Sequence, residues 1–360
     1  MMKKLLFVPL FLLFILSFFY VVAQIPPGYY DNAAGLTGTP LRVALHNIIK
    51  NHTVVSYSSL WTYFQKTDIT PNGKVWDMYS DIPGGIPPYQ FTFVTDQCGS
   101  YSAEGDCYNK EHSFPSSWFN DADPMHTDLF HIYPTDGWVN NKRGNYPYGD
   151  VGTVSWTSLN GSKLGDCNDS GYSGIVFEPI DSFKGDFARS YFYMAVRYYT
   201  EDAGWQGSDM VIGAEPKPWA LNVLKAWNQL DPVSRKEYDR NDSIYKIQHN
   251  RNPFIDKPQW VDSVWNGPAS VPENEYDFYK AVIYPNPAND KIFFNYYTVK
   301  KENVEVSVFT INGQMIIDEN FTKETGNISK SIDLSGVSAG VYYIRFLTNG
   351  NSFISKLVIE

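Results

Sequence analysis

Glu111 and His112 stand side by side in the run Asp106-Cys107-Tyr108-Asn109-Lys110-Glu111-His112-Ser113-Phe114-Pro115, and no other pair in this 360-residue chain is better suited to acid–base and metal chemistry. A glutamate offers hard oxygen ligands. A histidine titrates near neutral pH, so its neutral ring can take a proton from water. A third candidate, Asn140, lies in the segment 136–146 and adds an amide oxygen. Such donors suit Mg²⁺, with Mn²⁺ or Ca²⁺ as alternatives, rather than zinc. Adjacent side chains of an ideal strand point to opposite faces, so Glu111 and His112 can serve one centre only at a strand end or a bulge. Each residue alone is commonplace on a protein surface; their combination carries the weight.

The elements that must hold these residues are mixed. Apolar periodicity predicts helices starting at 41–49 and 57–64, and a nearly all-apolar helix at 188–199. Two further helices are expected at 219–230 and from an Asp231-Pro232 start to about 248, with Asn252-Pro253 ending the run. Residues 75–79 and 89–94 alternate as strands do, residues 95–110 read as loop, and Asn140 falls in a short helix after a turn at 134–137. From residue 283 the texture becomes short alternating runs at 291–297, 304–310, 314–318, 329–334, 341–347 and 352–359, divided by turns such as Asn312-Gly313. That is the pattern of a β-sandwich. The fold class is therefore α+β: a mixed helical and β domain at 24–264, a linker at 265–282 and a small all-β domain at 283–360.

Residues 1–23 read as a signal peptide, with Lys3 and Lys4 before an apolar run and small residues at Val21 and Ala23. The run is long enough to be an uncleaved anchor, but a Pro-Pro-Gly loop and no charge cluster follows it. The mature protein is expected to have no membrane span. Of three cysteines, Cys98 and Cys107 are the expected disulfide in an oxidising compartment, leaving Cys167 over. The absence of a CxxC motif argues against structural zinc. A formal charge of −10 requires any polyanion to be met by a local basic surface. The best stretch is 235–257, with Arg235, Lys236, Arg240, Lys246, Arg251 and Lys257, although four acids are interspersed. His131 is read as a packing residue or one behind the catalytic histidine, and His126 as an exposed loop residue. Glu178 and Asp181 do not make a convincing glycosidase pair, since sequence spacing says nothing about carboxylate separation.

Four ordered segments together resemble the bacterial endonuclease I family of secreted and periplasmic nucleases with a ββα-metal active site. They are Glu111 to Pro115; Asp128-Leu129 through Pro134-Thr135-Asp136, Val139-Asn140, Arg143 and Asn145; Phe177-Glu178-Pro179 with Gly185 to Arg189; and Gln248 to Phe254. The resemblance implies hydrolysis of DNA without sequence specificity and with 5′-phosphate products, and leaves open whether RNA is cut as well. It implies His112 as general base, with Glu111 and Asn140 holding one Mg²⁺. The family places an arginine on the cleaved phosphate between the base and the asparagine, but residues 113–139 contain neither arginine nor lysine. Arg143, Arg189 and Arg251 are the substitutes considered for phosphate binding. The C-terminal region, from Tyr284-Pro285-Asn286-Pro287 to Glu360, is similar to the sorting domain of the type IX secretion system. That similarity implies the secretion machinery as a partner and a secreted or cell-surface location reached through the periplasm. The rival readings are a secreted adhesin or polysaccharide-binding protein, and a catalytically inactive family member that only binds nucleic acid.

Overall fold

A computed structural model describes residues 25–265, 282–298, 303–322, 326–348 and 351–360. The expected signal peptide and almost all of the expected linker lie outside the described residues. The chain begins with α1 (Gly38–Ile49) and α2 (Leu60–Thr67). The stretch up to residue 107 then has no regular element, and the strands expected at 75–79 and 89–94 do not form. Val75 has one isolated bridge, to Ile69, and its amide donates to the Phe91 carbonyl. The loop is instead buried continuously from Val75 to Ser80, so the apolar alternation there does not mark two faces of a strand. Prolines at 83, 87 and 88 remove the amides a ladder would need.

Strand β1 (Tyr108–His112) pairs antiparallel with β2 (Ile132–Asp136), and α3 (Gly137–Arg143) follows without a break. Where a turn was expected at 134–137, β2 runs directly into the helix. Asp136 caps α3 by accepting from the Val139 amide. Gly137 is required at the first helical position, because a Cβ there would lie 2.6 Å from the Tyr101 ring. A second antiparallel sheet comprises β3 (Val151–Thr157), β4 (Lys163–Cys167) and β5 (Ile175–Glu178).

Helix α4 (Asp181–Arg197) is buried on every side from Phe183 onward and forms the axis of the core. A two-stranded ladder, β6 (Val211–Ile212) and β7 (Glu215–Pro216), leads to α5 (Pro218–Leu230), which starts on a proline. The next helix, α6 (Arg235–Gln248), begins later than Asp231-Pro232 indicated. Ser234 and Glu237 form a reciprocal capping box there, and this outcompetes the upstream start. The short helices α7 (Pro253–Asp256) and α8 (Trp260–Trp265) close this part of the chain.

The remaining strands are β8 (Val282–Tyr284), β9 (Lys291–Thr298), β10 (Asn303–Thr310), β11 (Met315–Thr322), β12 (Gly326–Asp333), β13 (Gly340–Thr348) and β14 (Asn351–Ile359). They form one sheet in the order β11-β10-β13-β14 and another in the order β12-β9-β8. Inward residues of both sheets, among them Ile292, Phe294, Val306, Ile344 and Phe346, share a core separate from that of residues 25–265. The fold is α+β. Among the described residues no helix is long and apolar enough to cross a membrane.

Gly185 shows how closely α4 is packed. A Cβ at this position would lie 2.2 Å from the Asp231 carbonyl oxygen and 2.5 Å from the Arg189 guanidinium. An exposed mid-helix Gly→Ala change stabilises by about 1 kcal/mol; here overpacking of about 1–3 kcal/mol opposes it. Because the clash is with backbone, the cost falls toward the upper end of that range, and Gly185→Ala should lower the midpoint of thermal unfolding by a few degrees. A midpoint equal to or above that of the parent would contradict the close approach.

Candidate active site

His112 is the last residue of β1 and pairs in regular register, so it leaves the strand on the face opposite Glu111, and the two flank the strand end rather than share one face. Glu111 points inward and is almost fully buried, with its Oε1 accepting from the Tyr79 hydroxyl at 2.9 Å and from Arg143 Nη1 at 3.1 Å. Burial pushes its carboxyl up to about 7, while Arg143 and Tyr79 pull the other way. The Arg143 guanidinium also donates to the His112 carbonyl at 2.9 Å and the Ser113 carbonyl at 2.5 Å. It therefore straps α3 to the end of β1. Asn140, three residues earlier on the same face of α3, donates through Nδ2 to Asn109 Oδ1 at 2.7 Å and to the Lys110 carbonyl at 3.3 Å. The bonds place Asn140 beside the chain segment that carries Glu111, with its Nδ2 committed to holding the contact.

His112 is only half-buried, and its Nε2 lies 3.1 Å from the His126 carbonyl. A carbonyl only accepts, so Nε2 carries the proton and Nδ1 keeps the lone pair. Burial holds the ring's pKa down at about 3, so it stays neutral at working pH. Its ring lies parallel to that of His126 at 5.2 Å, and His126 in turn stacks on Tyr57 at 4.6 Å. The expectation of an exposed His126 is thus corrected: it is half-buried and fixes the tautomer of His112 through its backbone. His131 is fully buried behind His112, ring centroids 5.6 Å apart, with Nε2 donating to the Met125 carbonyl.

Supporting groups fix this arrangement from behind. Asp77 accepts from the Tyr79 amide and from the Asp136 amide, joining the loop that presents Tyr79 to the start of α3. Asp136 accepts a further bond from the Gly105 amide, within the loop closed by the Cys98–Cys107 disulfide. Cys167 is free. Tyr148 stacks under the Arg143 guanidinium at 4.4 Å and bonds the Tyr79 hydroxyl. Tyr79, Tyr148, Asp77 and Asn109 were not legible as site residues. A tyrosine in an irregular loop carries no spacing signal, and only the fold brings it to Glu111.

The three arginines considered for phosphate binding are all turned inward. Arg143 is held as described. Arg189 pairs with Glu237 and also donates to Asn228 and the Asp231 carbonyl. Arg251 pairs with Asp256 and Asp242. Each is 1% exposed or less, so none can reach a substrate without breaking the core. In the basic stretch 235–257, Arg235 and Lys246 are exposed, with Arg235 paired to Asp239, and two of the other cations are spent on the scaffold. Arg240 is buried on Asp68 and on the Leu129 and Ile132 carbonyls, and Lys236 donates to the Thr67 and Ile69 carbonyls. Gln248, at the head of the last resembling segment, is structural too: it bonds the Leu129 amide and Asp128. Glu178 and Asp181 both bind Lys184, which accounts for them as ion-pair partners.

For a divalent metal, the donor set at the β1–α3 corner consists of the Glu111 carboxylate and the Asn140 amide oxygen, with Asn109 adjacent. All are hard oxygens, and no thiolate joins them. Among the described residues no group of three or more His, Cys, Asp or Glu is gathered for a metal. A hydrated Mg²⁺ held by two protein oxygens fits that set; a zinc site closed by four protein ligands does not.

Residues 37–259 match the family model for Endonuclease I, and residues 282–360 match that for the secretion system C-terminal sorting domain. The chain is 37% identical over 247 residues to an extracellular ribonuclease of Bacillus amyloliquefaciens, covering 66% of this chain and 78% of that one. It is 36% identical over the same shares to an extracellular ribonuclease of Bacillus subtilis. To an extracellular deoxyribonuclease of Aeromonas hydrophila it is 24% identical, covering 64% of this chain and 92% of the other. The sorting domain and the extracellular relatives make it a secreted or cell-surface protein. By the match over most of its length outside that domain, the chain belongs to the endonuclease I family of nucleases.

Proposed function

We propose that residues 25–265 form a metal-dependent endonuclease that hydrolyses phosphodiester bonds of RNA and DNA without reading base sequence, and that the C-terminal domain serves export. The observation that carries this reading is the anchoring of His112. With Nε2 committed to the His126 carbonyl, Nδ1 is a fixed, neutral base at the end of the strand that carries Glu111. It takes a proton from the water that attacks phosphorus. The bond to the 3′-oxygen then breaks as that oxygen takes a proton from solvent water, leaving a 5′-phosphate and a 3′-hydroxyl. Glu111 and Asn140 would hold the Mg²⁺, which supplies positive charge to the phosphate as negative charge develops. Nothing in this chemistry touches a base edge, so the sequence is not read. The names of the Bacillus relatives support RNA as a substrate, and that of the Aeromonas relative supports DNA.

His112→Ala should leave the fold and nucleic-acid binding intact and reduce cleavage by about 10²–10⁴-fold, the usual contribution of a general base. Cleavage within a factor of two of the parent would remove His112 from that role.

Protons and Mg²⁺ should compete for Glu111, whose carboxyl is pushed up to about 7. Its protonated form dominates below that pH and binds cations poorly, so acidification from pH 8 to 6 should raise the Mg²⁺ needed for half-maximal activity. Added Mg²⁺ should restore the rate. His112, held at about 3, contributes no loss in this window. Asn140→Ala should raise the Mg²⁺ requirement at every pH. Metal titrations independent of both pH and Asn140 would place the cation elsewhere.

A further inference from the structure

Beside His112, on the side of β1 away from the Glu111 pocket, lies a cavity of about 470 Å³ lined by Tyr57, Trp61, Gln97, Gly99, Asn109 and Lys110. The Tyr57 ring that lines it stacks on His126, whose ring lies parallel to that of His112. Lys110 is two residues before His112, so both side chains leave β1 on the same face. Its ammonium sits 3.8 Å from the Tyr57 ring centroid and 4.3 Å from that of Trp61. Among the described residues it has no carboxylate partner, unlike Arg143, Arg189, Arg240 and Arg251. A cation resting on ring faces is weakly held there. It can move to a phosphate, and doing so uncovers the two rings.

We propose that this cavity is a subsite for one unpaired nucleotide next to the scissile bond. Lys110 contacts the nucleotide's backbone phosphate, and Trp61 with Tyr57 stacks its base. The inference rests on the nuclease reading above and adds a substrate class: single-stranded nucleic acid, or an unpaired stretch of a folded RNA. A cation together with aromatic faces along a groove is how single strands are held without reading their sequence. A duplex cannot present a base to such faces without unpairing it.

The test uses the full chain in excess chelator, which removes the divalent cation that cleavage requires, so that binding is measured with turnover suppressed and the rings beside the cavity intact. A fluorescein-labelled single-stranded 12-mer and a duplex of the same sequence are titrated by anisotropy at several salt concentrations. Lys110→Ala should weaken single-strand binding about tenfold, as expected for a charged hydrogen bond. It should also reduce the slope of log affinity against log salt by about 0.7, one phosphate on a single strand. Lys110→Arg should restore the slope. Trp61→Ala should weaken the single strand at least about fivefold and the duplex little, and Trp61→Phe should recover most of the loss. An unchanged salt slope in Lys110→Ala, or equal losses for both substrates in Trp61→Ala, would overturn the subsite. The two claims fail separately: if the wild-type chain cuts neither RNA nor DNA, the nuclease reading itself is wrong, whereas neutral Lys110 and Trp61 variants in a chain that does cut sink only the subsite.

Discussion

A guanidinium with almost no access to water, that of Arg143, holds the site together. It reaches from α3 to the Glu111 carboxylate and to the carbonyls of His112 and Ser113, with Tyr148 beneath it. Because these bonds fall on the last residues of β1, they fix the strand end where the two chemical groups sit. Because Asn140 is one turn earlier on the same helix, they also set where its amide lies. Removing one partner of such a pair leaves a buried charge uncompensated, at about 3–5 kcal/mol.

The same device recurs through the core. Arg189 with Glu237 joins α4 to α6, Arg240 with Asp68 joins α6 to the end of α2 and to β2, and Arg251 with Asp256 secures α7. This accounts for an apparent conflict in the composition. An acidic chain that acts on a polyanion should reserve its cations for the surface, yet its arginines are largely spent inside. The lysines left at the surface, such as Lys66 and Lys246, are outnumbered by acids in a chain of net charge −10, so little net attraction for nucleic acid acts at long range. The phosphate must instead be met locally, by a cation bound at the site and by side chains such as Lys110 that are held by rings rather than by acids.

Most helices and the C-terminal strands were legible because their periodicity is that of elements with one partner face, and α4 because a nearly all-apolar run of its length has to be buried on every side. Trp219 to Leu230 and the alternating run around Val304 to Val308 are of the first kind. The stretch from Asp68 to Cys107 was not legible, because its apolar residues are buried in an irregular loop, continuously from Val75 to Ser80, that is stapled by a disulfide and by side-chain bonds. Glu111, His112 and Asn140 could be picked out by residue type and by resemblance to a family. Their roles as neighbours could not, since the Arg143 strap and the tautomer-fixing carbonyl of His126 are tertiary contacts. Resemblance also misled in one respect. The arginines within its most recognisable segments are scaffold, and a half-buried cation resting on ring faces, Lys110, lies one residue before the Glu-His pair.

The claim that the Glu111–Arg143 pair positions the site is tested most directly by a double-mutant cycle on unfolding, using Glu111→Leu, Arg143→Met and the two combined. The account predicts that each single change destabilises by about 3–5 kcal/mol. The double variant should lose far less than their sum, because neither charge is then left stranded. Strictly additive losses would mean that the two groups do not depend on each other, and that something else holds α3 against the end of β1.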